Sequence, residues 1–570
     1  MRHFLLSVLL SFSGFLAYGQ MLLEGTVIDS ENKETIPYAT VYNINQEKGT
    51  VTNLDGFFSI EYAEGDRIQF SFLGYERIIL DAGSIGESVA LSPKAELLGE
   101  IVISDDNAWL FKLISNCASS APKKTSSAKT YYELEAFISG QQVELVEVYY
   151  NGTFSGQDVK YLDFKVGRLG MQNYVNQTFM SSESSKAIVM HELYSKNRYF
   201  PVSPFELSRK KLRKSYNLIL ARKFADDSNR LIYEIKYEPK QDLNDHFSGT
   251  AWIDSASNIL IKTVLEIEKA STHPFERAGT TDSLLGIDFE ITKNYSLKDS
   301  ESRLRSIDFN YDLNFISTSG REIELNTNAV LVAYDYENLF SLPGFEFTDS
   351  WYQDYRYITG TPLNEFFWNK VDRFKLSDKG RGNEIFLNLS KVKDQNSGRL
   401  WKSKSTFDQV FEYHYIPWSE ERLVMRQEEV DYSKYEGVMA VDRYNIEVQL
   451  YFDWNETEDE INVLTQTIFD PFKSYYNFPQ TDLASCFINI YFDLVEIDRR
   501  EFQEEVETGN YTKEEVVEMY NYHLEEIKKL KSNYFNEVER GTRIQALRKW
   551  NEVVKTELGI DNMDLFQIKD

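Results

Sequence analysis

Histidine and cysteine are scarce in this chain, and their scarcity excludes the common metal and thiol motifs. Only six His and two Cys occur in 570 residues. There is no Cys-x-x-Cys pair, no His-Glu-x-x-His sequence and no glycine-rich phosphate loop, so the usual zinc, redox and nucleotide signatures are absent. Cys117 and Cys486 lie far apart, each in a helix-like apolar segment. They could pair in an exported protein, but two separate buried thiols are the preferred interpretation.

Positive charge is also in deficit. The chain has 62 Lys and Arg against 90 Asp and Glu, which gives a formal net charge of −28. A nucleic-acid-binding protein needs a basic face that displaces counterions from phosphates. This balance therefore argues against nucleic acid as a partner, and against binding to an anionic membrane by overall charge alone.

Aromatic residues are abundant. They make up 14% of the chain, with 36 Tyr and 38 Phe against 28 Gly and 12 Pro. Large flat side chains pack well on a pleated surface and favour strands. Hydrophobic content of 42% and charged content of 27% are typical of folded proteins. The composition predicts a mainly β (α+β) protein of several domains.

Residues 1–19 predict a secretory signal peptide. Arg2 and His3 form a basic start, an apolar run extends from Phe4 to Leu16, and a small-x-small end precedes cleavage after Gly19. The apolar run is too short to span a bilayer comfortably. No later segment predicts a transmembrane helix. We therefore expect an exported protein in the periplasm or associated with the outer membrane.

Residues 22–103 predict a β-sandwich, because short alternating apolar runs are separated by Asn, Asp and Gly. The turn pair Asp55-Gly56 joins two of these runs. Within this segment a larger set of motif residues occurs in a fixed order: Gly25-x-Val27-x-Asp29, Pro37, Val41, Gly49-Thr50-x-Thr52, Asp55-Gly56-x-Phe58-x-Ile60, Ser71-x-x-Gly74-Tyr75 and the closing run Leu98 to Ile103.

This set resembles the carboxypeptidase-regulatory-like domain of Bacteroidota. The resemblance covers roughly one-seventh of the chain and implies a seven-stranded, prealbumin-like sandwich. In that family the module precedes outer-membrane transporters and occurs in many exported proteins, and it carries no catalytic residues. The resemblance therefore implies an envelope setting rather than an activity.

The rest of the chain divides into four predicted segments. Residues 104–129 predict a short helix and a polar linker, and residues 130–336 predict a large antiparallel sheet with one solvated face. A hairpin in this sheet, GTAWID to NILIK, resembles the curved half-barrels of bacterial lipoprotein carriers, which would imply an apolar concavity for a ligand. Residues 337–481 predict aromatic-rich loops and a β-hairpin, and residues 482–570 predict helices, one opened by the capping box Thr512-x-x-Glu515.

The aromatic-rich loops allow two interpretations. Their rings would form a platform for a sugar or a peptide if they were exposed, because exposed aromatic clusters usually bind something. The preferred interpretation is that they cap a core, since aromatic side chains readily fill cores. The rings concerned are Trp351, Tyr352, Tyr355, Tyr357, Phe366, Phe367 and Trp368.

A zinc site is one alternative. His273 and Glu276 have the H-x-x-E spacing of zinc carboxypeptidases, and His414 follows as a third ligand, which would leave an open position for water. That fold needs alternating strands and helices, whereas His273 lies between long antiparallel strands. Pro274 also restricts the ligand residue before it. A zinc metallocarboxypeptidase therefore stays an alternative rather than the preferred function.

A polar stripe on the first C-terminal helix is a second candidate. Ser485, Asn489, Asp493, Glu496 and Arg500 share one face. A turn near residue 510 would bring His523 of the next helix level with Glu496, so that Asp493, Glu496 and His523 could bind a metal or transfer protons. An exposed, ion-paired face is the preferred alternative.

These observations together predict an exported, non-catalytic binding or scaffolding protein of the cell envelope. No catalytic, cofactor-binding or metal-binding residue is assigned, and no cofactor is expected. The expected partner is an envelope protein, a glycan or an apolar ligand. A zinc metallocarboxypeptidase and a carrier of an apolar ligand in a half-barrel are the alternatives.

Overall fold

Three regions make up the described part of the protein: a small sandwich, a large sheet and a C-terminal module. A computed structural model describes residues 21–46, 48–53, 55–72, 74–94, 107–171, 173–174, 177–178, 184–226, 229–240, 245–275, 283–298, 301–316, 320–347, 353–371, 415–423, 444–457, 460–471, 473–476 and 481–569. This architecture confirms the prediction of a mainly β protein with a helical C-terminal end.

The N-terminal sandwich is built from two sheets. Its strands are β1 (Met21–Asp29), β2 (Thr40–Asn43), β3 (Lys48–Val51), β4 (Phe57–Tyr62), β5 (Arg67–Ser71), β6 (Ile78–Asp81) and β7 (Ser88–Leu91). They form the sheets β4-β1-β7 and β3-β2-β5-β6. Val27, Phe58 and Phe70 lie in the core between them. The predicted closing run Leu98 to Ile103 lies outside the described residues.

Gly56 makes possible the tight turn that enters β4. Its φ is +73°, and a Cβ atom there would lie 2.8 Å from the carbonyl oxygen of Val27. Any larger residue would therefore meet both backbone strain and a clash. The predicted Asp55-Gly56 turn is confirmed, and it connects one sheet of the sandwich to the other.

The second region is a ten-stranded antiparallel sheet with short helices. Helix α1 (Ala108–Ser120) precedes β8 (Thr125–Ile138), β9 (Gln141–Ser155), β10 (Asp158–Met171) and a small pair, β11 (Asn173–Tyr174) and β12 (Gln177–Thr178). Helices α2 (Ser184–Met190) and α3 (Arg209–Ser215) come next. The strands that follow are β13 (Tyr216–Ala225), β14 (Leu231–Pro239), β15 (Ser248–Asp254), β16 (Leu260–Ile267), β17 (Ser283–Lys298), β18 (Glu301–Ile316) and β19 (Glu322–Asp335).

The strand order of this sheet is β10-β9-β8-β19-β18-β17-β16-β15-β14-β13. Each neighbouring pair is antiparallel, as predicted for residues 130–336. Strand β8 begins earlier than that prediction, inside the segment expected to be a polar linker. Thr125 already pairs with Ser155. The strand begins with Thr125, and a β-branched residue such as Thr is common in strands as well as in polar linkers.

One face of the large sheet is covered by the chain's own helices. Leu110, Ile114 and Cys117 of α1 and Ile188 of α2 lie in one core with side chains from the sheet. We call this the helix-covered face and its reverse the outer face. Over the described residues, α1 and α2 therefore cover part of the apolar face of the sheet.

The third region joins a small sheet to C-terminal helices. It comprises α4 (Gln353–Gly360), a π-helical turn (Phe367–Val371), β20 (Ile416–Pro417), β21 (Tyr444–Asn445), β22 (Val448–Glu456), β23 (Ile461–Phe469) and β24 (Tyr475–Tyr476). The helices are α5 (Asp482–Thr508), α6 (Lys513–Val538), α7 (Ile544–Leu558) and α8 (Asn562–Leu565). The capping box of Thr512 and Glu515 opens α6 as predicted.

None of the helices in the described residues is both long and apolar enough to span a bilayer. Both cysteines are free and buried, Cys117 in the core of the large sheet and Cys486 in that of the C-terminal helices. This matches the preferred interpretation of two separate thiols. Tyr355 and Phe367 of the aromatic-rich loops are also buried, as expected of a core cap, whereas Trp351 and Tyr352 lie outside the described residues.

Candidate functional site

The sandwich rests on the outer face of the large sheet. Tyr38, at the entry to β2, packs in one apolar cluster with Tyr131, Val330 and Val332. The guanidinium of Arg305 on β18 donates a hydrogen bond to the hydroxyl of Thr40. These contacts bring the edge of the sandwich against β8, β18 and β19.

A cavity of about 210 Å³ lies at this junction. The sandwich contributes Tyr38, Phe72 and Lys94 to its wall, and the sheet contributes Arg230, Tyr295 and Arg305. Ser71 and Gly74 of the motif Ser71-x-x-Gly74-Tyr75 also line it. The cavity therefore combines aromatic walls with several cationic groups, and neither region forms it alone.

Arg305 reaches the cavity because of a β-bulge. Ser306 pairs with Asn294 and Leu304 pairs with Tyr295, so Arg305 is the extra residue on β18. Leu304 lies in the core of the helix-covered face, whereas Arg305 and the next residue, Ser306, both line the cavity. A bulge re-aims a side chain that regular alternation would send to the other face.

The guanidinium of Arg305 has no carboxylate partner among the described residues. Its hydrogen bond goes to the Thr40 hydroxyl, and burial lowers its pKa to about 10. Arg230, in contrast, already has partners. Its Nε donates a hydrogen bond to Asp226 Oδ2 at 2.7 Å, and its Nη1 donates one to the carbonyl of Leu297 at 3.0 Å. A guanidinium has several N–H donors in a planar fork, so Arg305 retains donors for a ligand.

Two carboxyl groups near the cavity have raised pKa values. Asp308 lies two residues beyond Ser306 on β18, and burial raises its pKa to about 7. Glu133, further along the outer face, has its pKa raised to about 8 by burial and by the neighbouring Glu147. A buried carboxyl with a raised pKa is partly protonated at neutral pH. Asp226 also lines the cavity and pairs with Arg230, so Arg305 and Lys94 supply its remaining positive charge.

The shift at Glu133 predicts a pH-dependent effect of Glu133→Gln. A carboxyl whose pKa is raised in the folded state contributes stability at low pH, and this stability is lost as the pH rises from about 4.5 to about 8. We expect the variant to match the wild type near pH 5 and to exceed its free energy of unfolding near pH 8 by an amount on the order of 2–3 kcal/mol. Urea unfolding at both pH values measures this. Glu64→Gln, at an exposed position, is the control, and equal effects of the two substitutions would contradict the prediction.

Only one of the three predicted zinc ligands lies in the described part of the chain. His273 lies in the connection between β16 and β17, while Glu276 and His414 lie outside the described residues. Within the described ranges, no group of three or more His, Cys, Asp or Glu side chains is arranged to hold a metal ion.

The polar stripe on α5 is buried, and its members belong to separate networks. Asp493 accepts hydrogen bonds from Arg422 Nη1 at 2.8 Å and Trp418 Nε1 at 2.8 Å. Glu496 instead pairs with Arg499 and Arg500 on its own helix. The preferred alternative was therefore right about ion pairing but wrong about exposure, because the exposed fractions of Asp493 and Glu496 are 0% and 4%. The segment 415–423 and strand β23 cover this face.

His523 does not meet Glu496 as the helix register predicted. Its Nδ1 lies 3.1 Å from Asp498 Oδ2, and its Nε2 lies 3.5 Å from Glu505 Oε2. Burial raises the pKa of Asp498 to about 6. The pairing between α5 and α6 is close to the register that a turn at residue 510 suggested, but Glu496 faces β23, where the Thr467 hydroxyl donates to it. Asp493, Glu496 and His523 therefore do not form one site.

The cavity residues were not found from the sequence. Arg305 sits in the run Ser302-Arg-Leu-Arg-Ser306, which reads as an ordinary alternating strand. A bulge changes which face a residue occupies, and hydrophobic alternation cannot show where one occurs. The position of the sandwich on the sheet has no local sequence signal either.

Comparison with known proteins identifies one domain. Residues 23–103 match the family model of the CarboxypepD_reg-like domain. The chain therefore contains a domain of this family, which confirms the resemblance seen in the sequence. A search of curated proteins found no match.

Solved structures resemble the chain only weakly. The MucA/MucB complex of Pseudomonas aeruginosa matches with 8% identity and a TM-score of 0.17, covering 38% of this chain and 92% of that chain. A domain described as an outer membrane lipoprotein-sorting protein from Vibrio parahaemolyticus has 12% identity, a TM-score of 0.18 and coverages of 39% and 91%. A LolA superfamily protein from Nitrosomonas europaea has 12% identity, a TM-score of 0.13 and coverages of 40% and 94%. Likeness at this level carries no argument about function.

Proposed function

We propose that this protein is an exported, non-catalytic binding protein of the cell envelope, and that the cavity between its sandwich and its sheet binds a small anion. The ligand is a carboxylate or phosphate on a compact apolar body. The observation that carries this proposal is the Arg305 guanidinium, which lines the cavity without a carboxylate partner in the described residues. Desolvation of a partly buried cation such as Arg305 is costly unless the cation is paired, and an anionic ligand would supply the missing partner.

The cavity wall favours an amphipathic anion over a bare inorganic ion. Phe72, Ile261 and Val332 supply apolar surface and Lys94 adds positive charge, while Arg230 is paired with Asp226. Ligand sites typically combine apolar walls with a few polar groups that fix orientation. A volume of about 210 Å³ suits a molecule of roughly ten non-hydrogen atoms rather than a lipid.

The regulatory-like sandwich forms part of the proposed binding site. It supplies one wall of the site, including two positions of its recurring motif, Ser71 and Gly74. Ligand in the cavity would contact both regions and so couple the sandwich to the sheet. The signal-like residues 1–19 and the presence of this domain support the envelope setting.

Matched ligands test the proposal. Benzoate and phenyl phosphate carry the anion on an apolar ring, and benzamide is a neutral analogue of benzoate. We expect one or both anions to raise the unfolding midpoint and to bind in isothermal titration roughly tenfold or more tightly than benzamide, because hydrogen bonds to a charged group are the stronger ones. The two anions separate carboxylate from phosphate recognition. Equal binding of benzamide, or failure of both anions to bind, would contradict the proposal.

A further inference from the structure

A basic surface stands out on this acidic protein. It consists of Arg209, Lys210, Lys211, Arg213, Lys214, Arg222 and Lys223, and residues 209–223 contain no Asp or Glu. We call this set the basic edge. All of its side chains are exposed. A run of this kind departs sharply from a chain whose formal net charge is −28.

The fold holds the basic edge on one side of the molecule. Leu212 is fully buried and anchors the short helix α3, so the charged residues on either side of it face solvent. Arg209 Nη2 donates to the carbonyl of Ala108 at 3.2 Å, and the guanidinium of Arg213 lies 5.8 Å from the Phe111 ring. Strand β13 follows directly and is the outermost strand at its end of the sheet.

Little neutralises these charges within the described residues. Only Arg222 has a carboxylate partner there, since its Nε lies 2.7 Å from Glu234 Oε2. The other side chains of the basic edge form no ion pair in the described part of the chain. Acidic residues elsewhere on the surface are screened beyond about 8 Å at physiological ionic strength, so the local field here is positive.

We propose that the basic edge docks this protein on a membrane surface rich in anionic phospholipid headgroups. Each Lys or Arg held near such a surface contributes roughly 1 kcal/mol to the free energy of membrane binding. Lysines predominate in the helix, and their compact, flexible charges suit an irregular array of phosphates, whereas arginine forks suit fixed carboxylate pairs on a protein. This charge complementarity is local, so it is compatible with the acidic balance of the whole chain.

An exposed tryptophan next to the basic edge supports a membrane surface over an acidic protein. Trp109 of α1 is 41% exposed. Its ring packs edge-on at 5.3 Å against Tyr233, and Tyr233 pairs across the sheet with Lys223 of the basic edge. Tryptophan is enriched at membrane interfaces, where its ring lies at the level of the headgroups.

Vesicle binding tests this inference. The purified protein is floated with vesicles of phosphatidylcholine alone or mixed with phosphatidylglycerol, at low and high salt. We expect binding only to the mixed vesicles, and we expect salt to weaken it. The triple variant Lys210→Gln, Lys211→Gln, Lys214→Gln is expected to lose roughly 100-fold in partition coefficient, given the contribution of each lysine near the surface.

A second triple variant removes the same charge elsewhere. Lys528, Lys529 and Lys549 are exposed on the C-terminal helices, so changing all three to Gln alters the net charge equally and should leave vesicle binding unchanged. Circular dichroism verifies that both variants are folded. Absence of binding to phosphatidylglycerol vesicles, or equal losses in the two variants, would overturn the inference. Salt-sensitive binding to immobilised polyglutamate without vesicle binding would overturn it in favour of an acidic protein partner.

Discussion

Replacing Lys165 by methionine is expected to lower the free energy of unfolding by roughly 3–5 kcal/mol. Lys165 on β10 is 2% exposed. Its ammonium pairs with Asp453 on β22, and it also donates to the carbonyls of Ser341 at 2.8 Å and Trp454 at 3.0 Å. The substitution leaves Asp453, which is fully buried, without its counterion. Because the pair joins the large sheet to the C-terminal module, the loss should affect both regions.

A half-exposed lysine on the same strand provides the control. Lys160 pairs with Glu192, and their side chains are 33% and 36% exposed, so Lys160→Met should cost less than about 1 kcal/mol. The double variant Lys165→Met, Asp453→Asn removes both charges and should recover part of the stability lost in Lys165→Met. Urea unfolding measures all three. Similar losses for Lys165→Met and Lys160→Met would contradict the assigned role of the buried pair.

Arg305→Met is expected to weaken benzoate binding roughly 10- to 100-fold, because the substitution removes hydrogen bonds to a charged group. The same substitution should raise, rather than lower, the unfolding midpoint of the ligand-free protein. Arg305 is partly buried and has no carboxylate partner in the described residues, and desolvation lowers its pKa to about 10. Such a group costs stability when no ligand is present. Opposite changes in affinity and stability would distinguish a binding residue from a merely structural one.

Arg303→Met is the matched control for this effect. Arg303 lies on the same strand, and its Nη1 is 3.7 Å from Glu337 Oε1, outside the wall of the cavity. The substitution Arg303→Met should leave benzoate affinity unchanged. Isothermal titration of wild type and both variants gives the comparison. Wild-type affinity in Arg305→Met would remove the basis for the proposed function.

Local chemistry made much of the fold predictable. Gly56 needs a positive φ in the turn before β4, and the Thr512 capping box opens α6; both were read directly from neighbouring residues. Alternation predicted the strands from β8 to β19 because one face of the sheet is apolar. The sandwich was recognised because many residues of the regulatory-like motif occur in the expected order.

The functional features depend on long-range geometry and were not predictable in this way. Arg305 faces the cavity only because of a bulge, and the cavity exists only because the sandwich rests on the outer face. The polar stripe of Asp493 and Glu496 was expected to be solvated, yet distant segments bury it through hydrogen bonds from Arg422 and Thr467. His523 pairs with Asp498 rather than Glu496 because α5 turns Glu496 toward β23, and the helix register alone does not determine that rotation.

The most direct test of the proposed binding site is a crystal structure of the protein soaked with 4-iodobenzoate, whose iodine is located by anomalous scattering. The account predicts an iodine peak inside the cavity lined by Tyr38, Phe72 and Arg305, with the carboxylate within hydrogen-bond distance of the Arg305 guanidinium. Iodine bound only elsewhere, with the cavity empty or Arg305 paired to a carboxylate of the protein, would contradict it.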